Sequence, residues 1–171
     1  MEFTMLKTKF TPVFTLFIAL LVTSSNLSAV EDLNDALRDS KWNGIIGTWV
    51  DADSNGAAIK TTYAWKIKNR VIEVTSKEGQ KETVSLMGVN AKTGKVFQMG
   101  ADSDGGSFLG EWKMESNGDA VLGIGFTAPD GSEGLLNIRQ KMVSQDAMMI
   151  TIELPQPITF KMIRSKAKAT K

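Results

Sequence analysis

Tyr63, Trp65, Phe108 and Trp112, with the methionines Met114, Met148 and Met162, recur at every second position of extended runs. Alternate positions of a strand point to one face, so each set converges on whatever that face encloses. Aromatic and thioether side chains with a few polar groups among them are the lining of a pocket for a small apolar or amphipathic molecule. Thioethers also adapt to varied ligand shapes. The plainer alternative is a filled core with no cavity. Tyr63 is the chain's one tyrosine, and its hydroxyl needs a partner if it is buried.

Catalytic chemistry has a thinner inventory. The 171 residues include no histidine and no cysteine, which excludes Ser-His and Cys-His nucleophile pairs and the usual acid–base side chain near neutral pH. Glu73, Glu82 and Glu111 lie in strand-like runs, and Glu111 or Glu73 at the mouth of the fold would be the acid of an enzyme. Each alternates with apolar neighbours as a solvated, outward residue does. Of Arg139 and Gln140, one must face inward. An inward arginine would orient a carboxylate ligand, or equally end an ion pair. No catalytic residue is assigned.

Metal chemistry fares no better, because zinc, copper and haem lose their usual ligands. Asp51-Ala52-Asp53-Ser54-Asn55-Gly56 matches the first half of a helix-loop-helix calcium site. The twelfth position, however, is Thr62 where a bidentate glutamate belongs. A polar hairpin turn explains the segment better, and the same holds for Asp102-Ser103-Asp104-Gly105-Gly106. If both turns share one rim, they could hold a weak calcium ion. Gly123-Ile124-Gly125 sits in a strand with no helix after it, so it is no nucleotide loop and marks a bend or a close backbone approach. No metal and no cofactor are expected.

The elements that must position these residues are strands. From Ile46 onward the hydrophobic period is two. Ile59 to Lys68 alternates, Phe108, Gly110, Trp112 and Met114 share a face, and so do Met148, Ile150, Ile152 and Leu154, and Ile158, Phe160, Met162 and Arg164. Between the runs stand nine turn signals, among them Asn55-Gly56, Lys68-Asn69, Asn117-Gly118, Asp130-Gly131 and Pro155. Asn-Gly and Asp-Gly supply the positive φ that tight hairpins demand. Nine turns predict about ten strands, antiparallel because no second helix builds a crossover. Closure removes the two free edges of so large a sheet. The expected class is therefore all-β, an antiparallel up-and-down barrel, with a two-sheet sandwich as the alternative. One short helix is expected within residues 31–42, where Leu33, Ala36 and Leu37 share a stripe behind acids in the first turn.

The N-terminus reads as a targeting segment. Lys7 and Lys9 precede the uncharged Val13–Val22, and small polar residues lead to Ala29, the pattern of a secretory signal peptide. Ten apolar residues are too few to span a bilayer, so no stable membrane insertion is expected after cleavage behind Ala29. The predicted organisation is a signal peptide over 1–29, a helical lead-in over 30–44, the barrel over 45–165 and a basic tail over 166–171. Cleavage removes Glu2, Lys7 and Lys9 from a chain of formal charge +1 and leaves a neutral domain. A neutral domain has no basic face for nucleic acid. Lys161, Arg164, Lys166, Lys168 and Lys171 cluster toward the tail, which reads as a frayed, solvated terminus, with an anionic-surface contact as the alternative. An exported domain without disulfides rests on packing alone and points to a bacterial periplasmic or secreted protein. The oligomeric state is left open.

Gly47-Thr48-Trp49 after the short helix, with Arg164 on the inward face of the last strand, resembles the calycin superfamily of lipocalins, fatty-acid-binding proteins and their bacterial relatives. There a Gly-x-Trp on strand one meets an arginine from the final strand. The order Gly47-Thr48-Trp49, Tyr63-Ala64-Trp65, Ser103 to Phe108 and Glu111-Trp112 is similar to small bacterial lipocalin-like domains of unknown function, over most of residues 45–165. The resemblance implies a barrel and a clasp in which Arg164 stacks on Trp49 and binds main-chain carbonyls. It lacks the disulfide of true lipocalins and the histidine that holds haem in related barrels. Fold alone assigns no activity. The expected function is an exported module that binds a small apolar molecule through Tyr63, Trp65, Phe108, Trp112, Met114 and Met148. The alternatives are an enzyme or enzyme-accessory domain, and a protein-interaction module.

Overall fold

The computed structural model describes residues 32–166. The expected signal peptide and Lys168 and Lys171 of the basic tail lie outside those residues. A helix α1 (Leu33–Asp39) and a 3-10 turn (Asn43–Ile45) lead into ten strands: β1 (Gly47–Asp51), β2 (Ile59–Ile67), β3 (Val71–Glu78), β4 (Lys81–Val89), β5 (Val96–Asp102), β6 (Ser107–Met114), β7 (Ala120–Thr127), β8 (Glu133–Ser144), β9 (Ala147–Glu153) and β10 (Ile158–Arg164). Every strand pairs antiparallel with its sequence neighbour, and β10 returns to pair with β1. The result is a closed up-and-down barrel, not a sandwich. Each of the nine turn signals falls in or at the edge of one of the nine connections. Asn55 and Asn69 adopt φ of 54° and 63° there, a conformation in which asparagine is tolerated better than most side chains.

The two rims differ. Connections after β1, β3, β5, β7 and β9 gather at one end, and those after β2, β4, β6 and β8 at the other. The second end is plugged by α1. Asp32 caps the helix by accepting from the Asp35 amide at 2.9 Å. Its last turn closes with the Trp42 amide donating to the Leu37 carbonyl at 2.7 Å while Lys41 takes a positive φ of 63°, the usual way a helix spends its final carbonyls. Leu33, fully buried, and Leu37 drop from α1 into a core with Trp42, Ile45, Trp49, Tyr63, Ile72 and Met148. Burial of a leucine of this kind stabilises by about 1.5–3 kcal/mol. The plug is also tied to two turns at that end. The Asn34 amide donates to the Asn69 carbonyl at 3.2 Å, and Trp42 Nε1 donates to the Gly118 carbonyl at 3.1 Å.

Strand pleating sends alternate residues inward. On β6, Phe108, Gly110 and Trp112 face in, while Leu109 is 61% exposed. On the outside, Leu86, Met99, Leu109, Gly125 and Leu135 stand opposite one another in successive strand pairs. They form an apolar row across β4 to β8, with Leu135 89% exposed. Among the described residues, no helix is long and apolar enough to cross a membrane.

Candidate ligand cavity inside the barrel

Space remains between the inward faces. A cavity of about 400 Å³ runs from the unplugged rim down toward the core. Its upper wall is apolar, with Phe108, Ile124, Ile152 and Phe160, and the half-exposed Ile158 stands at the mouth. Glu78 and Thr83 reach the same mouth from β3 and β4. Deeper, Tyr63, Trp112, Met148 and Met162 form the floor. Gly110 keeps the wall thin between Phe108 and Trp112. A Cβ there would meet the Gly123 carbonyl at 2.5 Å and Ile124 Cγ2 at 2.6 Å, so a larger residue would push β6 away from β7.

The cavity lining carries a small set of hydrogen-bonding groups, of which Ser85, Gln98 and Gln140 are buried and Thr61 and Ser76, nearer the mouth, are partly buried. Gln98 Nε2 donates to Ser85 Oγ at 2.8 Å, and Gln98 Oε1 accepts from Trp112 Nε1 at 3.1 Å. Ser85 Oγ in turn donates to the Val74 carbonyl at 3.4 Å. Thr61 and Ser76 share a hydroxyl contact of 3.0 Å. Gln140 Nε2 donates to the Tyr63 hydroxyl at 3.4 Å. Burial raises the Tyr63 hydroxyl above its ordinary pKa, with the Gln140 hydrogen bond acting the other way, so the phenol stays protonated. Gln140 Oε1 is the buried side-chain atom among the described residues that has no hydrogen-bond partner.

A second cavity, also about 400 Å³, lies between α1 and the closed end of the barrel. Ala36, Leu37, Trp42, Met87, Val96 and Met114 are among its walls. Trp112 and Gln140 line both spaces, so these two side chains form the partition between them.

The residues expected at a ligand site therefore divide. Tyr63, Phe108, Trp112 and Met148 line the barrel cavity. Met114, 40% exposed, belongs to the space beneath α1. Trp65 faces inward but packs against the core cluster and lines neither cavity. Its place two residues beyond Tyr63, opposite the fully buried Ile72, puts it at the plugged end. Gln98, Gln140, Ser85 and Glu78 are site residues that hydrophobic patterning does not select. The available signal was position parity, since a polar residue on an inward face either finds a buried partner or meets a ligand.

Trp49 and Arg164 stand directly opposite each other across β1 and β10. The guanidinium lies 4.4 Å from the centre of the indole ring, and its Nη atoms donate to the Ile46, Gly44 and Gln145 carbonyls. Nε donates to Asp146 Oδ1 at 3.0 Å. Trp49 Nε1 donates to the Ile45 carbonyl at 2.7 Å. All these partners hold the lead-in segment and the β8–β9 turn at the plugged end, outside the cavity.

The acids take no part in the cavity floor. Glu73, Glu82 and Glu111 are all on the outer face, paired with Lys66 at 2.8 Å, Lys77 at 3.4 Å and Lys95 at 2.7 Å. Gln140 is the inward member of its pair. Arg139 points outward to Glu153 at 2.8 Å and Asp119 at 3.6 Å. The two acidic turns do share the open rim, but each spends its carboxylate locally. Asp51 accepts from the Ser54 amide and hydroxyl and from the Ile59 amide, which holds its pKa down at about 2. Asp102 accepts from Lys81 and from the Asp104 and Gly106 amides, and its carboxyl is likewise lowered, chiefly by Lys81. Among the described residues, no group of three acids stands close enough to hold a metal ion. Gly123 and Gly125 face outward into open surface, where a Cβ would meet nothing nearer than 3.3 Å. The close backbone approach belongs to Gly110 instead.

What this arrangement can do is enclose an apolar body and offer a few neutral hydrogen-bonding groups at its deep end. No family model, curated protein or solved structure matches the chain, so a functional reading stands on this geometry.

Proposed function

We propose that this chain is an exported, non-enzymatic, lipocalin-like module that holds a small apolar or amphipathic molecule inside its barrel. The observation that carries the reading is the cavity of about 400 Å³ walled by Phe108, Ile124, Ile152 and Phe160 above a floor of Tyr63 and Trp112. Its volume falls in the range of small-molecule pockets, and its composition is theirs: mostly apolar, with few polar groups. Barrels of about eight strands just enclose side chains or one small ligand, and ten strands leave more room. The enzyme alternative draws no support from this space, because Glu73 and Glu111 sit outside it in ion pairs. Export rests on the sequence pattern of residues 1–29 and a chain that needs no disulfide.

Native mass spectrometry of protein purified from its own host tests the binding. A small molecule travelling with the folded chain is the expected result. Repeated recovery of the bare chain, with no uptake of an environment-sensitive apolar dye, would remove the reading. Fractionation of host cells checks export, with the mature N-terminus expected just after Ala29.

A further inference from the structure

Gln140 is 6% exposed, lies in the wall of both cavities, and keeps its amide oxygen free of any hydrogen-bond partner among the described residues. A buried amide oxygen left without a hydrogen-bond partner is a net cost to a fold. The neighbouring polar groups avoid this. Gln98 spends its amide nitrogen on Ser85 and its oxygen on Trp112, and Thr61 and Ser76 satisfy each other. Gln140 alone, a residue lining both cavities, is left with a buried acceptor that no donor meets among the described residues. Beside it, the Tyr63 hydroxyl already accepts from Gln140 Nε2 and retains its own proton to donate.

From this pair we infer that the deep end of the barrel is a head-group subsite for an uncharged hydrogen-bond donor, such as an alcohol or a primary amide, carried on an apolar chain that extends toward the mouth. The inference rests on the proposed binding function and specifies its ligand class. The donor would meet Gln140 Oε1, and an acceptor on the same head would meet the Tyr63 hydroxyl. A hydroxyl does both with one atom. The apolar chain would lie along Phe108, Ile124, Ile152 and Phe160.

Charge decides against the obvious amphiphile, a fatty acid. Among the described residues no lysine or arginine lines the barrel cavity; of the two basic residues flanking Gln140, Arg139 points outward into ion pairs with Glu153 and Asp119 and Lys141 is exposed. A carboxylate buried beside Gln140 Oε1 would face an acceptor and no counter-charge. Unpaired burial of an ion is far costlier than burial of a neutral hydroxyl. Among the described residues, the acid lining the space is Glu78, which stands at the mouth and repels an anion there as well.

Four probes built on an eight-carbon chain separate the possibilities: octan-1-ol, octanamide, octyl methyl ether, which adds one O-methyl carbon and accepts but cannot donate, and octanoate at pH 8. Isothermal titration or displacement of an apolar dye measures each. The alcohol and amide are expected to bind about three- to tenfold tighter than the ether, the worth of one net hydrogen bond, and tighter still than octanoate. Gln140→Met removes the acceptor at similar volume. It should weaken the alcohol to the level of the ether while leaving the ether unchanged. Tyr63→Phe, a smaller change to the fold, should weaken the alcohol and amide in the same direction. Leu135→Lys, on the outer face, should alter none of them. Equal binding of ether and alcohol, tighter binding of octanoate, or undiminished discrimination in both variants overturns the head-group inference while leaving the binding module intact. Failure of all four probes to bind removes both.

Discussion

The guanidinium of Arg164 occupies the space that a side chain at residue 47 would need. A Cβ on Gly47 would lie 2.6 Å from Arg164 Nη1, and Gly47 holds a φ of 130° that side chains rarely adopt. Glycine there lets the last strand reach across the first, stack on Trp49 and bind the Ile46 and Gly44 carbonyls. Arg164→Ala is therefore expected to destabilise the barrel by about 2–3 kcal/mol. Arg164→Lys should recover little of it, since an ammonium cannot stack and fork at once. Gly47→Ala should destabilise in the same direction. Urea unfolding checks all three, and a loss under 0.5 kcal/mol for both arginine variants would show the clasp to be ornamental.

Filling the cavity should abolish binding without unfolding the chain. Thr83 faces inward at the mouth, where a larger side chain would enter empty space and not a packed core. Thr83→Trp is expected to eliminate uptake of an apolar dye and to keep the thermal midpoint within a few degrees, corresponding to about 1 kcal/mol or less. Dye uptake that persists at full stoichiometry would place the binding space elsewhere.

The plug is expected to carry much of the stability of its end. Leu33 is completely buried among the core residues of the barrel, and Leu33→Ala should remove about 2–5 kcal/mol. Hydrogen exchange should show the loss concentrated in the amides near α1 and the turns around Asn69 and Gly118, to which the plug is tied. Even spreading of faster exchange around the open rim would contradict a local plug.

Acid should loosen the β1–β2 turn over a defined window. The Asp51 carboxyl titrates at about 2 when folded, against 3.8 as its ordinary value. A depressed carboxyl contributes stability that is fully present above 3.8 and is lost as the pH falls through 2. Stability should therefore climb with pH between these values. Asp51→Asn should flatten that part of the curve. Urea midpoints measured from pH 2 to 5 for both proteins decide the matter, and parallel curves would assign the acid sensitivity to other groups.

Outer-face acids should be dispensable. Glu73→Gln and Glu111→Gln each break one exposed pair, with Lys66 and Lys95, and exposed pairs contribute at most about 1 kcal/mol. Stability is expected to move by less than that, and dye binding not at all. A large loss of binding in either variant would reopen the enzyme or mouth-acid reading.

The strand count and the faces were legible in the residues themselves. Period-two alternation placed Tyr63, Phe108, Trp112 and Met148 inward because the pleat is a local property of the backbone. Asn-Gly and Asp-Gly pairs marked hairpins because positive φ is a local demand. What remained hidden was any fact that depends on which strand neighbours end up at which depth. Trp65 and Tyr63 share a parity, yet two residues along β2 carry Trp65 into the plugged end and leave Tyr63 at the cavity floor. Gln98 and Trp112 are 14 residues apart and meet only because β5 and β6 pair in one register. Gln140 and Tyr63 are 77 residues apart and meet only because the barrel closes.

Sequence alone thus settled an all-β chain of about ten antiparallel strands, since alternation and turn chemistry act over a few residues at a time. The choice of the expected closure over a sandwich, the contacts of the plug, the 400 Å³ of interior space and the unpartnered oxygen of Gln140 were decided only in the tertiary structure. Depth and enclosure are set by the packing of strands distant in the chain, and no short-range pattern encodes them.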